Sequence, residues 1–166
     1  MQKSLLTLFF SLLVLMPLSA QKKSASGKEP LFGSKQASYQ IASNELKGAC
    51  FYLVCGHGGP DPGAIGIYQG RQLHEDEYAY DIVLRLGREL LMRGAKVHFI
   101  IQDKKDGIRG GHYLANSKRE TCMGQKIPLD QVQRLKQRCD WVDKLYKQDK
   151  GNYKRAIFVH VDSRSQ

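Results

Sequence analysis

Past its first fifty residues the chain alternates short unbroken apolar runs with longer stretches in which apolar side chains recur every three or four positions. Phe51 to Cys55 is such an unbroken run, closed by glycines, and predicts a strand buried on both faces of a parallel sheet. Gly56 to Gly70 then reads as a turn-rich loop. Residues 75–93 follow a helical period, with Ala79, Ile82, Val83, Leu86 and Leu90 on one face and Gly94 placed to stop the helix. Val97 to Ile101 reads as the next strand. After a polar, glycine-bearing excursion from Asp103 to Lys126, a second amphipathic helix shows Val132, Leu135, Cys139, Val142 and Tyr146 at helical steps, and Gly151 ends it. Ala156 to Val161 is a third apolar run. Strand, helix and strand in this order imply right-handed crossovers. The fold class is therefore α/β, with a mostly parallel central sheet flanked by helices.

The N-terminal residues follow neither rhythm. Lys3, an apolar run from Leu5 to Leu18 and small residues ending at Ala20 make residues 1–20 a signal peptide. The run is shorter than the ~20 apolar residues of a membrane-spanning helix, and nothing after Ala20 is apolar enough to span, so no transmembrane segment is expected after cleavage. Residues 21–48 are rich in Lys, Ser, Gln, Ala and Gly and read as a polar linker that stays out of the core. One domain over 49–166 remains. No cysteine precedes Cys50 to accept a lipid anchor, so the mature protein is expected to be exported, periplasmic or secreted.

Charge narrows the partners. With 26 basic and 16 acidic residues the net charge is +10, which suits an anionic surface such as a carboxylate-rich wall polymer. Export argues against nucleic acid. Cys50 and Cys55 lie five strand steps of ~3.3 Å apart, beyond the ~4.4–6.8 Å between bridged alpha carbons. Cys122 with Cys139 is the comfortable disulfide. Cys55 reads as strand packing.

Ligands of open α/β sheets gather beyond the carboxyl ends of the strands, and His57 and His160 stand at or near two such ends. A third ligand is expected from the first turn of the helix at 75–93, which offers Glu75, Asp76 and Glu77. Glu75 shares the phase of Ala79, Ile82 and Leu86, so it points inward, whereas Glu77 aligns with Asp81, Arg85 and Arg88 and reads as solvated or salt-bridged. Two histidines and one carboxylate with an open fourth position form a recurring catalytic zinc set. His74, His98 and His112 lack such context, and Gly107 to Gly111 reads as a flexible loop.

The run Cys-Gly-His-Gly-Gly-Pro-Asp-Pro-Gly-Ala-Ile-Gly at Cys55 to Gly66 resembles the opening motif of the zinc-dependent N-acetylmuramoyl-L-alanine amidases. Aligning Leu84-Arg85-Leu86 with the family's second signature puts its glutamate at Glu75, and Phe158-Val159-His160-Val161-Asp162 resembles the third. The resemblance covers roughly Ala49 to Ser163. It implies Zn2+ on His57, Glu75 and His160, and hydrolysis of the amide joining N-acetylmuramic acid to L-alanine in peptidoglycan. Three positions depart from the family: Gln102-Asp103 replaces a threonine-arginine pair, Asp162 replaces an asparagine, and the general-base glutamate would lie beyond Gln166. The zinc amidase-like domain over 49–166 is thus expected to be incomplete, its C-terminal part missing and its catalytic base unassigned. The alternative expectation is a non-catalytic zinc-containing wall-binding or regulatory module.

Overall fold

Ten short strands and two long helices make up the computed structural model, which describes residues 25–162; the signal peptide expected over 1–20 and the first residues of the expected linker lie outside it. In chain order they are β1 (Ser26–Lys28), a 3₁₀ turn (Pro30–Phe32), β2 (Ser38–Gln40), β3 (Ala49–Cys55), β4 (Ile65–Tyr68), β5 (Arg71–His74), α1 (Glu75–Met92), β6 (Lys96–Phe99), β7 (Ile101–Gln102), β8 (Thr121–Cys122), β9 (Gln125–Lys126), α2 (Gln131–Gln148) and β10 (Tyr153–Val159).

The central sheet has the order β10-β3-β6 and is parallel throughout, with Tyr153 to Val159 paired against Ala49 to Cys55 and Lys96 to Phe99 against Cys50 to Leu53. All seven residues of β3 are buried, as a middle strand covered on both faces requires. Leu53 and Val54 each contribute roughly 1.5–3 kcal/mol by burial. Side chains alternate along a strand, so β3 serves two layers. Leu53 and Phe99 face α1, where Gly87 permits close approach: a Cβ there would lie 2.3 Å from the Phe99 ring. Tyr52 points the other way and meets Tyr146 of α2, with ring centroids 6.2 Å apart. Asp130 caps α2 by accepting the Gln133 N–H, worth about 1 kcal/mol. The start of α1 has no side-chain cap, and its three first-turn acids favour the positive helix end instead.

The α/β class and the parallel sheet agree with the sequence reading; several details differ. The linker expected over 21–48 is built into the fold from residue 25 onward. Strands β1 and β2 pair antiparallel, Leu31, Phe32 and Ala37 are buried, and Phe32 packs edge-on against Phe99 at 5.7 Å. Ala42 and Leu46 also donate backbone hydrogen bonds to Met92 and Arg93 at the end of α1. A few well-spaced apolar side chains anchor a segment whose mean composition is polar.

Both helices turn differently from their apolar stripes. On α1 the inward face is Ala79, Tyr80, Val83, Leu84 and Gly87, while Ile82 is 45% exposed. Glu77 is salt-bridged but not solvated: it is buried and bound by Arg109 at 2.9 Å, because the 103–120 segment folds back over the helix start. On α2 the buried residues are Arg138 and Leu145, whereas Val132 is 73% exposed and Leu135 and Tyr146 are about half exposed. The 56–70 loop contains β4, which returns through Gln69 and Gly70, both at positive φ, into β5 as a tight hairpin.

The Cys122–Cys139 bridge is not formed, and all four cysteines are free thiols. Only Cys139 is exposed, and burial pushes the thiols of Cys55 and Cys122 up to about 12 and about 11. Since the thiolate is the reactive form, the native reduced protein should react with an aromatic disulfide reagent at one fast site near pH 8, and at four after unfolding. Rapid labelling of Cys55, mapped by peptide mass, would contradict this packing.

Candidate metal centre

The carboxyl ends of β3 and β10 lie side by side, and each delivers a histidine one or two residues later. Val159 pairs with Cys55, and the Gly56 N–H donates to the Val159 carbonyl, so the strands leave the sheet together. The His57 and His160 rings meet edge to face with centroids 4.9 Å apart. Gly56 is required for that approach, since a Cβ on it would lie 2.1 Å from the His160 Cε1 atom. Gly63, at positive φ, passes beneath His57 and Glu75, where a Cβ would lie 2.7 Å from each side chain.

Glu75 opens α1 and reaches into the same space. Three donor atoms converge: His57 Nε2 and His160 Nδ1 are 3.1 Å apart, His160 Nδ1 and Glu75 Oε1 3.1 Å, and His57 Nε2 and Glu75 Oε1 3.4 Å. The group can hold a metal ion. Helical phase favours Glu75 over Glu77 for this role. The structure puts Glu75 with both histidines, although all three acids of the turn are buried.

The surroundings orient each ligand. Glu75 Oε2 accepts the Ala64 N–H at 2.9 Å and Oε1 accepts the Val161 N–H at 3.0 Å, which ties the loop after His57 to the end of β10. Burial alone would push the Glu75 carboxyl up, but those two N–H groups, together with His57 and His160, outweigh it and hold the carboxyl below its ordinary value. Asp61 Oδ2 lies 3.0 Å from His57 Nδ1 and also accepts from Arg134 Nε at 3.0 Å, while Oδ1 accepts the Gly63 N–H. Burial again opposes ionisation, and these partners again outweigh it. An ionised carboxylate only accepts, so His57 Nδ1 carries the proton and Nε2 offers its lone pair to the centre.

Asp61 was not singled out in the sequence, although an acid four residues after a ligand histidine in a glycine-rich loop is a readable signal. Asp61→Asn is expected to lower divalent-metal affinity 10- to 100-fold, the usual effect of losing an outer partner of a ligand histidine. Titration of both proteins with zinc checks this; equal affinities would remove the role.

The other flagged positions divide clearly. Asp103 is buried, accepting the Ser117 hydroxyl at 2.7 Å and paired with Arg119 at 3.2 Å, and Gln102 bonds the Phe99 carbonyl, so this pair braces the 103–120 segment. Asp162 is exposed and lines a small recess of about 200 Å³ bordering Glu75. A larger recess of about 520 Å³ beside Leu31, His98 and Met123 lies away from the donor trio. His74 borders the small recess, and His98 belongs to a cluster at the opposite end of the sheet.

Fold and trio together define an α/β protein whose sheet presents a two-histidine, one-carboxylate centre able to hold a metal ion. No protein-family model matches the chain, and neither a curated protein nor a solved structure matches it. No helix among the described residues is long and apolar enough to cross a membrane.

Proposed function

We propose that the protein is a zinc-dependent amidase of the cell envelope, hydrolysing the amide between N-acetylmuramic acid and L-alanine in peptidoglycan. The observation that carries this reading is the convergence of His57, Glu75 and His160, the first of them inside the Cys55–Gly66 motif that resembles the family. The spacing fits zinc: ligands at about 2.0–2.1 Å in a tetrahedral shell lie roughly 3.3–3.4 Å from one another, against 3.1 to 3.4 Å between the donor atoms here. Two imidazoles and one carboxylate suit zinc better than calcium or magnesium, which take oxygen. Bound there, zinc supplies Lewis acidity, lowering the pKa of a coordinated water and polarising an amide carbonyl.

The chain's own residues do the rest of what can be assigned. Asp61 fixes the His57 tautomer, the Ala64 and Val161 N–H groups keep Glu75 ionised, and Gly56 and Gly63 leave the centre uncrowded. A net charge of +10 favours a carboxylate-bearing polymer, and an N-terminal signal would bring the protein to it.

Zinc-loaded protein incubated with purified muropeptides should release peptides with a new alanine amino terminus, detected by amine labelling and mass spectrometry. A chelator should abolish release and added zinc restore it. Zinc uptake and wall binding with no new amino termini would overturn the amidase reading in favour of a non-catalytic wall-binding module.

A further inference from the structure

The recess beside Glu75 has a composition that says what it takes. Its walls are Ala64, Gly66, Leu73, Tyr78 and Val161, with the polar side chains of His74, Glu75 and Asp162 at its margins, and most of its exposed surface is apolar. Gly66 and Leu73 are directly paired across the β4–β5 hairpin, and Ala64 lies two residues before Gly66, so the three share one face. Glu75 closes the inner end, between the Ala64 and Val161 N–H groups that it binds. The recess therefore begins at a ligand of the centre and runs outward between the hairpin and the chain after β10.

Resting on the reading of the trio as a zinc centre, we propose that this recess is a specificity pocket that takes a short aliphatic group carried next to the scissile amide. A sugar ring seated there would turn most of its hydroxyls toward apolar walls, with polar partners only at the margins. A volume of about 200 Å³ accommodates a few carbons and not an extended chain. The glycan of a muropeptide is thereby directed away from the hairpin. Gly66 is the gate: a Cβ there meets nothing within 4 Å, and no positive φ forbids a side chain. Glycine leaves open a space that any larger residue would fill without disturbing the fold.

The test uses alkyl hydroxamates, which anchor on zinc and need no turnover. Zinc stoichiometry of the full chain is measured first, so that failure of the metal reading appears separately from failure of the pocket. Butanohydroxamate should then bind the zinc-loaded protein about tenfold more tightly than acetohydroxamate, through burial of its added methylenes. In Gly66→Phe the preference should shrink to about twofold or less while acetohydroxamate affinity stays unchanged. Leu73→Trp, which fills the recess from the paired strand, should do the same should the first variant fold poorly. Equal chain-length preference in the parent and both variants, or no preference in the parent, overturns the pocket; absence of zinc binding overturns the pocket and the centre together.

Discussion

His160→Ala is expected to abolish tight metal binding while leaving the fold intact. His160 stands just past the end of β10, its side chain is 46% exposed, and among the described residues its only polar contacts are with His57 and Glu75. Removing it deletes one of three ligands and leaves the sheet pairing of Tyr153 to Val159 untouched. The loss should exceed the 10- to 100-fold that follows removal of an outer hydrogen-bond partner, and the amide hydrolysis proposed for the protein should fall with it. Competition against a chromophoric chelator reads the affinity, and circular dichroism with thermal unfolding of the metal-free proteins reads the fold. Glu75→Ala makes the contrast, because it also strips the acceptor from the Ala64 and Val161 N–H groups. Each buried donor left unpaired costs about 1–3 kcal/mol, so this variant should lose stability even without metal. Undiminished zinc affinity in His160→Ala would exclude the three-ligand centre.

How much of this was legible beforehand follows from which forces act over short distances. The unbroken apolar run at Phe51 to Cys55 announced a buried strand, because nothing polar survives on either face of a middle strand. The glycines and histidine after it announced a site, because that backbone leaves little but the imidazole to meet a ligand. Glu75 emerged from helical phase, yet the phase was only partly right: Ile82 shared the same stripe and is exposed, while Tyr80 and Leu84 turn inward. The reason is tertiary. Segment 103–120 folds over the start of α1, so polar residues there are buried against Arg109, Lys118 and Ser117 rather than solvated. On α2 the same override buries Arg138 and leaves Val132 in water. Composition likewise concealed the packing of Phe32, since one aromatic in a polar segment suffices to dock it. Asp61 was missed because its role depends on where the loop carries it, 3.0 Å from His57 and from Arg134 on a helix some seventy residues later.

The end of the sheet opposite the metal centre should prove decisive for stability. Asp149, the residue that ends α2, is buried and accepts three hydrogen bonds: from Tyr52 Oη at 2.9 Å, Lys96 Nζ at 2.5 Å and His98 Nε2 at 2.8 Å. One carboxylate thereby pins the helix to β3 and β6, under Tyr52 and His98 rings stacked at 5.5 Å. Burial pushes its pKa up, but Lys96, Tyr52 and His98 outweigh it and hold the carboxyl below its ordinary value. Asp149→Asn removes the charge and turns an NH2 group toward a set of donors. Breaking a buried pair costs about 3–5 kcal/mol; with Lys96 largely exposed, a loss of about 2–3 kcal/mol is expected. For a domain of this size that lowers Tm by roughly 4–12 °C. The pH dependence has a definite sign. Because the folded pKa lies below the unfolded one, the stabilisation is complete above the unfolded value of about 3.9 and is lost as pH falls through the folded value. The gap between parent and Asp149→Asn should therefore be full at pH 5 and above and narrow in more acid solution, as read by thermal unfolding at several pH values. Zinc affinity should not change, since Lys96 pairs with Cys50 near the start of β3, whereas His57 follows its end. Equal unfolding temperatures at neutral pH would show that the carboxylate does not hold α2 to the sheet.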